Sequence, residues 1–181
     1  MSDIVPLNQE EQVALARSVR VRHLDKGEVW IKEGSLASHL AFVSEGSLRV
    51  YYTRTGGEVT DGFYFENSFA GDLPGAITRR ASLVNIAAME STELFTLAYV
   101  ALNDLAARHH ALERLLRVLT ERVFVNFYYR RMATMASPPQ ERFTQLQRDQ
   151  PQALHRAAPG HVASFLGITE PSLSRLSGRL H

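Results

Sequence analysis

Ser172, Arg175 and Arg179 recur at offsets of three and four, which puts them on one stripe of a helix, about 100° around from a second stripe of Leu173, Leu176 and Leu180. A hydroxyl and two guanidinium forks on the solvent side of an amphipathic helix have the reach and the donors to enter the major groove of duplex DNA. The residues ahead of them supply what such a helix needs for support. Val162 and Leu166 share one face of a shorter preceding helix, and Ala163 is small enough for a second helix to cross closely. Gly167 suits the left-handed residue that ends a helix, Ile168 is apolar and fit for burial in the turn, and Thr169 offers a capping hydroxyl. Glu170 suits the positive end of the helix dipole, and Pro171 is tolerated in a first turn whose amides have no intrahelical partner. The sequence therefore predicts a helix-turn-helix between His161 and Arg179, although an ordinary helical hairpin has the same punctuation.

The charge distribution supports a polyanionic partner. The net charge of the 181 residues is only +1, but residues 1–111 carry 10 Lys/Arg against 14 Asp/Glu, whereas residues 112–181 carry 10 Arg against 5 acids. Positive charge segregated onto the half with the helix-turn-helix is what phosphate contacts require, because each neutralised phosphate releases counterions. There is no Cys, which excludes disulfides, thiolate metal sites and thiol nucleophiles. The N-terminus has no basic and apolar leader pattern, and no run of about 18 apolar residues occurs, so a cytoplasmic protein without a membrane partner is expected.

Between Val21 and Leu97 the chain reads as short segments rich in Val, Ile, Phe and Tyr. They are separated by turns at Lys26-Gly27, Glu33-Gly34, Glu45-Gly46, Thr55-Gly56-Gly57, Asp61-Gly62 and Ala70-Gly71-Asp72. That spacing predicts an antiparallel sandwich or barrel. After Tyr99 the period becomes helical: Leu112, Leu116, Leu119 and Val123 recur at offsets of four, three and four, continuing through Asn126 and Arg130, and Leu115, Val118, Phe124, Phe127 and Tyr128 make other faces apolar as well. A helix apolar on several faces must be covered on several sides. We therefore expect it to pack on its own β-domain and against the same helix of a second chain, with Leu112, Leu116, Leu119, Val123 and Phe127 at that interface; burial within one subunit would satisfy the same pattern. Ala136-Ser137-Pro138-Pro139 breaks the helix into a hinge. The resulting division is a β-roll over 1–111, a dimerisation helix over 112–136 and a DNA-binding domain over 137–181, an α+β fold.

This order of parts resembles the cyclic-AMP receptor/Fnr (Crp/Fnr) family of bacterial transcription regulators along essentially the whole chain. The matching stretches are Lys26-Gly27-Glu28-Val29, Glu33-Gly34, Phe42 to Val50, Phe69-Ala70-Gly71-Asp72-Leu73, and Val162 to Thr169 with Leu173-Ser174-Arg175. The resemblance implies a cyclic-nucleotide-binding-type jelly roll (a double-stranded β-helix) and a homodimer that binds a two-fold operator through paired recognition helices of a winged-helix-like domain. The wing is expected to be lacking or truncated here, and RNA polymerase is a further partner in keeping with the resemblance. On the family pattern Glu170, Ser172 and Arg175 lie where base edges are read, with Arg175 the strongest candidate for a guanine, while Thr169, Ser174, Arg179 and His161 are placed for phosphates.

The resemblance also implies an effector site around Phe69, Gly71, Asp72, Leu73, Arg80, Ser82 and Leu83. Cyclic-AMP binders of the family use a Gly-Glu-Leu turn, whose Glu takes the ribose hydroxyl, followed by an Arg-Ser or Arg-Thr pair, whose Arg neutralises the phosphate. Here the turn is Gly71-Asp72-Leu73, one methylene short, and the phosphate-pairing position falls near Ser82 and Leu83, with Arg79 and Arg80 two or three residues early. A half-buried anion without its cation is costly, so tight binding of cyclic AMP or cyclic GMP as a cofactor is not expected unless the loop shifts to bring Arg80 into place. No catalytic or metal constellation is present. His39 is isolated in the roll and His109-His110 cannot share a helix face, which argues against a metal-holding cupin, and neither Gly-x-Ser-x-Gly, His-Glu-x-x-His nor a P-loop occurs. A regulator and a small-ligand sensor module whose helices serve protein contacts are the two readings that stand.

Overall fold

The structure, a computed structural model, describes residues 5–178. Helix α1 (Gln9–Ser18) opens with a reciprocal cap, in which the Asn8 side chain accepts from the Glu11 amide at 2.9 Å and Glu11 accepts from the Asn8 amide at 2.8 Å. Eight strands follow: β1 (Arg20–Leu24), β2 (Val29–Ile31), β3 (His39–Glu45), β4 (Leu48–Arg54), β5 (Gly57–Tyr64), β6 (Phe69–Ala70), β7 (Asn85–Ala88) and β8 (Thr92–Ala98), with a short helix α2 (Leu73–Thr78) between β6 and β7. They form two four-stranded antiparallel sheets, ordered β1-β8-β3-β6 and β2-β7-β4-β5. Leu24, Ile31, Val43, Leu48, Val50, Ile86 and Leu94 point between the sheets and make the roll's core. This is the expected jelly roll.

Most of the Gly-marked turns fall between strands, but Asp61-Gly62 does not. It lies inside β5, where the register with β4 slips between Val50 and Tyr51 and leaves Asp61 as an extra residue. This bulge turns the Asp61 carbonyl outward to accept from Arg130 at 3.1 Å, and a Cβ on Gly62 would stand 2.7 Å from the same guanidinium. Gly62 therefore sits in a bulge met by the tip of the Arg130 side chain rather than in a turn. Gly46, by contrast, is a true turn residue at φ +85°, where an added Cβ would lie 2.5 Å from the Ser91 carbonyl oxygen and 2.7 Å from Thr92 Cα. Left-handed strain and overpacking act together there, so Gly46→Ala is expected to cost about 2–4 kcal/mol. Thermal melting checks this, and an unchanged melting temperature would contradict it.

Helices α3 (Tyr99–Ala106) and α4 (His110–Ala136) leave the roll, and α5 (Pro139–Asp149), α6 (Gln152–Arg156), α7 (Pro159–Phe165) and α8 (Glu170–Gly178) make the C-terminal unit. The break between α4 and α5 is confined to Ser137 and Pro138. Among the described residues, no helix is long and apolar enough to cross a membrane.

The expected interface stripe of α4 begins inside the subunit's own core. Leu112 is fully buried (0% exposed) in a core with Leu15, Leu102, Leu105 and Leu115, against which Leu116 and Leu119 also pack, so Leu112 presents nothing to a second chain. The stripe through Leu112, Leu116, Leu119 and Val123 continues at helical spacing through Asn126 to Arg130, which is held on the roll at Asp61. Leu112, Leu116 and Leu119 are therefore turned toward their own subunit, whereas Val123 (45% exposed) and Phe127 (53%) stay open. About 120–180° around the helix from Arg130 runs a different apolar set, Phe124 (66% exposed), Val125, Tyr128 (52%), Met132 and Met135 (71%).

Candidate functional site

The turn between α7 and α8 is built as the residue types suggest. The Ile168 amide donates to the Ala163 carbonyl at 2.9 Å and the Gly167 amide to Ser164 at 3.0 Å, with Gly167 at φ +63°, a complete Schellman closure. Val162, Ala163, Leu166 and Leu173 are buried together with Phe143, Leu146 and Ala153. Thr169 precedes α8, accepts the Leu173 amide on its carbonyl, and pairs its hydroxyl with that of Ser172 at 3.0 Å. Ser172 in turn accepts from an Arg175 terminal nitrogen at 2.9 Å. Arg175, Thr169, Glu170 and Ser174 are exposed and Ser172 is half-buried, so the α8 face that carries them is open. Arg179 lies outside the described residues. The Glu170 carboxylate leans over Gly160, where an added Cβ would meet it at 2.7 Å, placing negative charge at the start of α7.

His161 stands apart from that group. It is half-buried within electrostatic reach of the roll, where burial and then the Arg49 guanidinium hold its pKa below the usual histidine value, against an opposing pull from Glu58. It is thus turned toward the roll rather than sharing the exposed face of α8. Arg142, which the sequence reading did not single out, ties the turn to the helix break: its Nε and a terminal nitrogen donate to the Leu166 carbonyl at 3.2 and 2.7 Å, and its other terminal nitrogen donates to Ser137 at 2.5 Å. Its only sequence signal was an Arg next to a helix start.

The helical unit rests on the outer side of the β2-β7-β4-β5 sheet. Phe63 and Phe65 pack with Phe165 and the unit's own core, the Phe63 and Phe165 ring centroids being 5.5 Å apart. The Thr60 amide donates to the Ser164 hydroxyl at 3.0 Å. Arg156 donates to both oxygens of Glu66 at 2.7 Å each, and to Glu90 Oε1 at 2.6 and 3.0 Å. Arg156 holds the Glu66 carboxyl down at about 2, the largest cause being their hydrogen bonds. The contribution of this contact to stability is therefore complete above the ordinary glutamate range and is lost only as the pH falls toward 2.

In the roll, the groups of the expected effector site are committed to local structure. The Asp72 carboxylate caps α2 by accepting from the Gly75 amide at 3.0 Å. Ser82 is buried, with its hydroxyl bonded back to the Val84 carbonyl at 2.9 Å, while Leu83 is 81% exposed and Arg79 and Arg80 are exposed. Leu73 is buried, Gly71 passes close to Leu40, and Phe69 stacks edge-on with Phe42. Among the described residues, no three His, Cys, Asp or Glu side chains converge to hold a metal ion.

Residues 21–109 match the family model of the cyclic nucleotide-binding domain. FixK2 of Bradyrhizobium japonicum superposes with a TM-score of 0.78 at 17% identity over 90% of this chain and 84% of its own. CLP of Xanthomonas campestris, a c-di-GMP-responsive global regulator, does so with a TM-score of 0.71 at 14% identity over 96% of this chain and 91% of its own, as does a crp/fnr-family protein of Eubacterium rectale, with a TM-score of 0.70 at 17% identity over 94% and 82%. The chain carries a cyclic nucleotide-binding domain in a Crp/Fnr fold. No curated protein matches it by sequence. Within that Crp/Fnr fold, α4 is the long connecting helix and α7 and α8 are the helix-turn-helix.

Proposed function

We propose that this Crp/Fnr-type chain is a non-enzymatic transcription regulator that works in the cytoplasm as a homodimer. In this reading α8 is the recognition helix and the roll's effector pocket has diverged from cyclic-nucleotide binding. The observation that carries it is the open face of α8, where Thr169, Ser172 and Arg175 form one hydrogen-bonded row ending in a guanidinium directed at solvent. Such a row pre-orients a fork that fits the two acceptors of guanine. The exposed stripe on α4 supplies the surface for a second copy, which a two-fold operator with half-sites about 34 Å apart demands. Divergence of the pocket rests on Asp72 and Ser82, whose polar atoms are spent on α2 and on the 82–84 turn.

The test is selection of bound sequences from random duplexes, followed by affinity measurement across salt concentrations with and without cyclic AMP. A log–log slope of about −0.9 for every phosphate contacted is expected, with cyclic AMP leaving the affinity unchanged. A slope near zero would overturn DNA binding, and a cyclic-AMP response in the micromolar range would overturn the divergent pocket.

A further inference from the structure

The C-terminal unit hangs from α4 by Ser137 and Pro138 alone, so something else must fix its attitude. The apolar pad of Phe63, Phe65 and Phe165 is non-directional and tolerates sliding, and the Thr60–Ser164 hydrogen bond beside it pins one point but leaves rotation about it free. Arg156 is different. It is the last residue of α6, and its planar fork engages two carboxylates at once, Glu66 on the β5–β6 loop and Glu90 on the β7–β8 turn, with the Phe65 ring beneath it at 5.2 Å. Both carboxylates are themselves anchored to the β3–β4 turn: Glu66 accepts from the Gly46 amide at 2.9 Å, and Glu90 from the Ser47 hydroxyl. The acceptors therefore cannot follow the guanidinium, and a bidentate contact to fixed acceptors sets rotation as well as distance.

We infer that Arg156, Glu66 and Glu90 form a positioning latch that sets the separation of the two recognition helices in the dimer, and so makes the protein discriminate operators by half-site spacing. This rests on the regulator reading above. Because the latch bonds the unit to the roll and shares no residue with the open row on α8, its loss leaves each half-site contact intact and removes only the fixed distance between them.

Two measurements test it. The sequence has no Cys, so Arg54→Cys and Ser177→Cys, both at exposed positions, take spin labels uniquely, and dilution with unlabelled chain leaves one labelled copy per dimer. The parent chain is expected to give one narrow distance and Arg156→Met a broad distribution. Arg156→Glu combined with Glu66→Arg restores the narrow one, because the cation moved to position 66 then stands between Glu90 and the carboxylate introduced on α6. An Arg156→Met distribution as narrow as the parent's would overturn the latch, and the exchanged pair guards against a variant that merely misfolds. On duplexes whose half-site spacing is stepped by single base pairs, the parent chain is expected to prefer one spacing by about tenfold or more and Arg156→Met by no more than about twofold, with single half-site affinity retained. An unchanged preference would overturn the spacing role. A parent chain that binds no duplex would overturn the regulator reading and the spacing role with it, whereas the label distances would still decide whether the latch orients the domain.

Discussion

Arg175→Ala is expected to abolish operator recognition while leaving general DNA affinity nearly intact. A bidentate arginine–guanine contact is worth about 1–3 kcal/mol of discrimination, and a two-fold site contains it twice, so the selected operator should lose about 2–6 kcal/mol. Two details of the site raise this expectation above that for an ordinary surface arginine. The guanidinium is already tied to Ser172, and Ser172 to Thr169, so less side-chain freedom is lost on docking. The row also stands on Leu173, which is buried against Val162 and Leu166, so the helix presenting it is rigid. Fluorescence anisotropy on the selected duplex and on a scrambled one separates the outcomes: a loss confined to the selected duplex supports base reading, and an equal loss on both would reduce Arg175 to a phosphate contact.

The parts of this molecule legible in the sequence were those written in local punctuation. Gly167 between Val162-Ala163 and Thr169 encodes the Schellman turn within a few residues, and Gly27, Gly34, Gly46 and Gly57 mark real left-handed turns of the roll. Asp61-Gly62 misled because glycine serves close approach as well as turning, and the approaching group, Arg130, lies far along the chain. The latch was illegible for a related reason. Glu66, Glu90 and Arg156 are single charges with no periodicity, the arginine lying 66 and 90 positions from its two partners, and only the docking of the helical unit brings them together. Leu112 shows a third limit: a sustained stripe at offsets of three and four says that a helix face is covered but not by what. In α4 the first part of that stripe is buried under α1 and α3, whereas Val123 and Phe127 farther along are exposed, beside a second exposed set that includes Phe124 and Tyr128. In the effector region, the short side chain of Asp72 was readable as a departure from the cyclic-AMP pattern; its capping of Gly75 follows from the start of α2, which composition alone did not announce.

Phe124→Asp combined with Tyr128→Asp is expected to yield monomers and to lower operator affinity by about 10²–10⁴, the factor gained when two linked modules engage two half-sites together. These side chains lie on the α4 face away from Arg130, with Val125, Met132 and Met135 beside them, and their exposure leaves a contiguous apolar surface that water covers at a cost until another chain does so. Two carboxylates in that surface would be desolvated and unpaired on association, a penalty that removal of the rings to Ala would not impose. Because the substitutions face outward, the melting temperature of the subunit should change little beyond what dissociation itself removes. Leu112→Ala supplies the contrast: fully buried beneath α1 and α3, it should lower stability by about 2–5 kcal/mol without changing the association constant of the folded chain. Sedimentation velocity with thermal melting on both variants distinguishes the two faces. A dimer that survives the paired Asp substitutions, or that is broken by Leu112→Ala at a temperature where the subunit stays folded, would place the interface on the other side of α4.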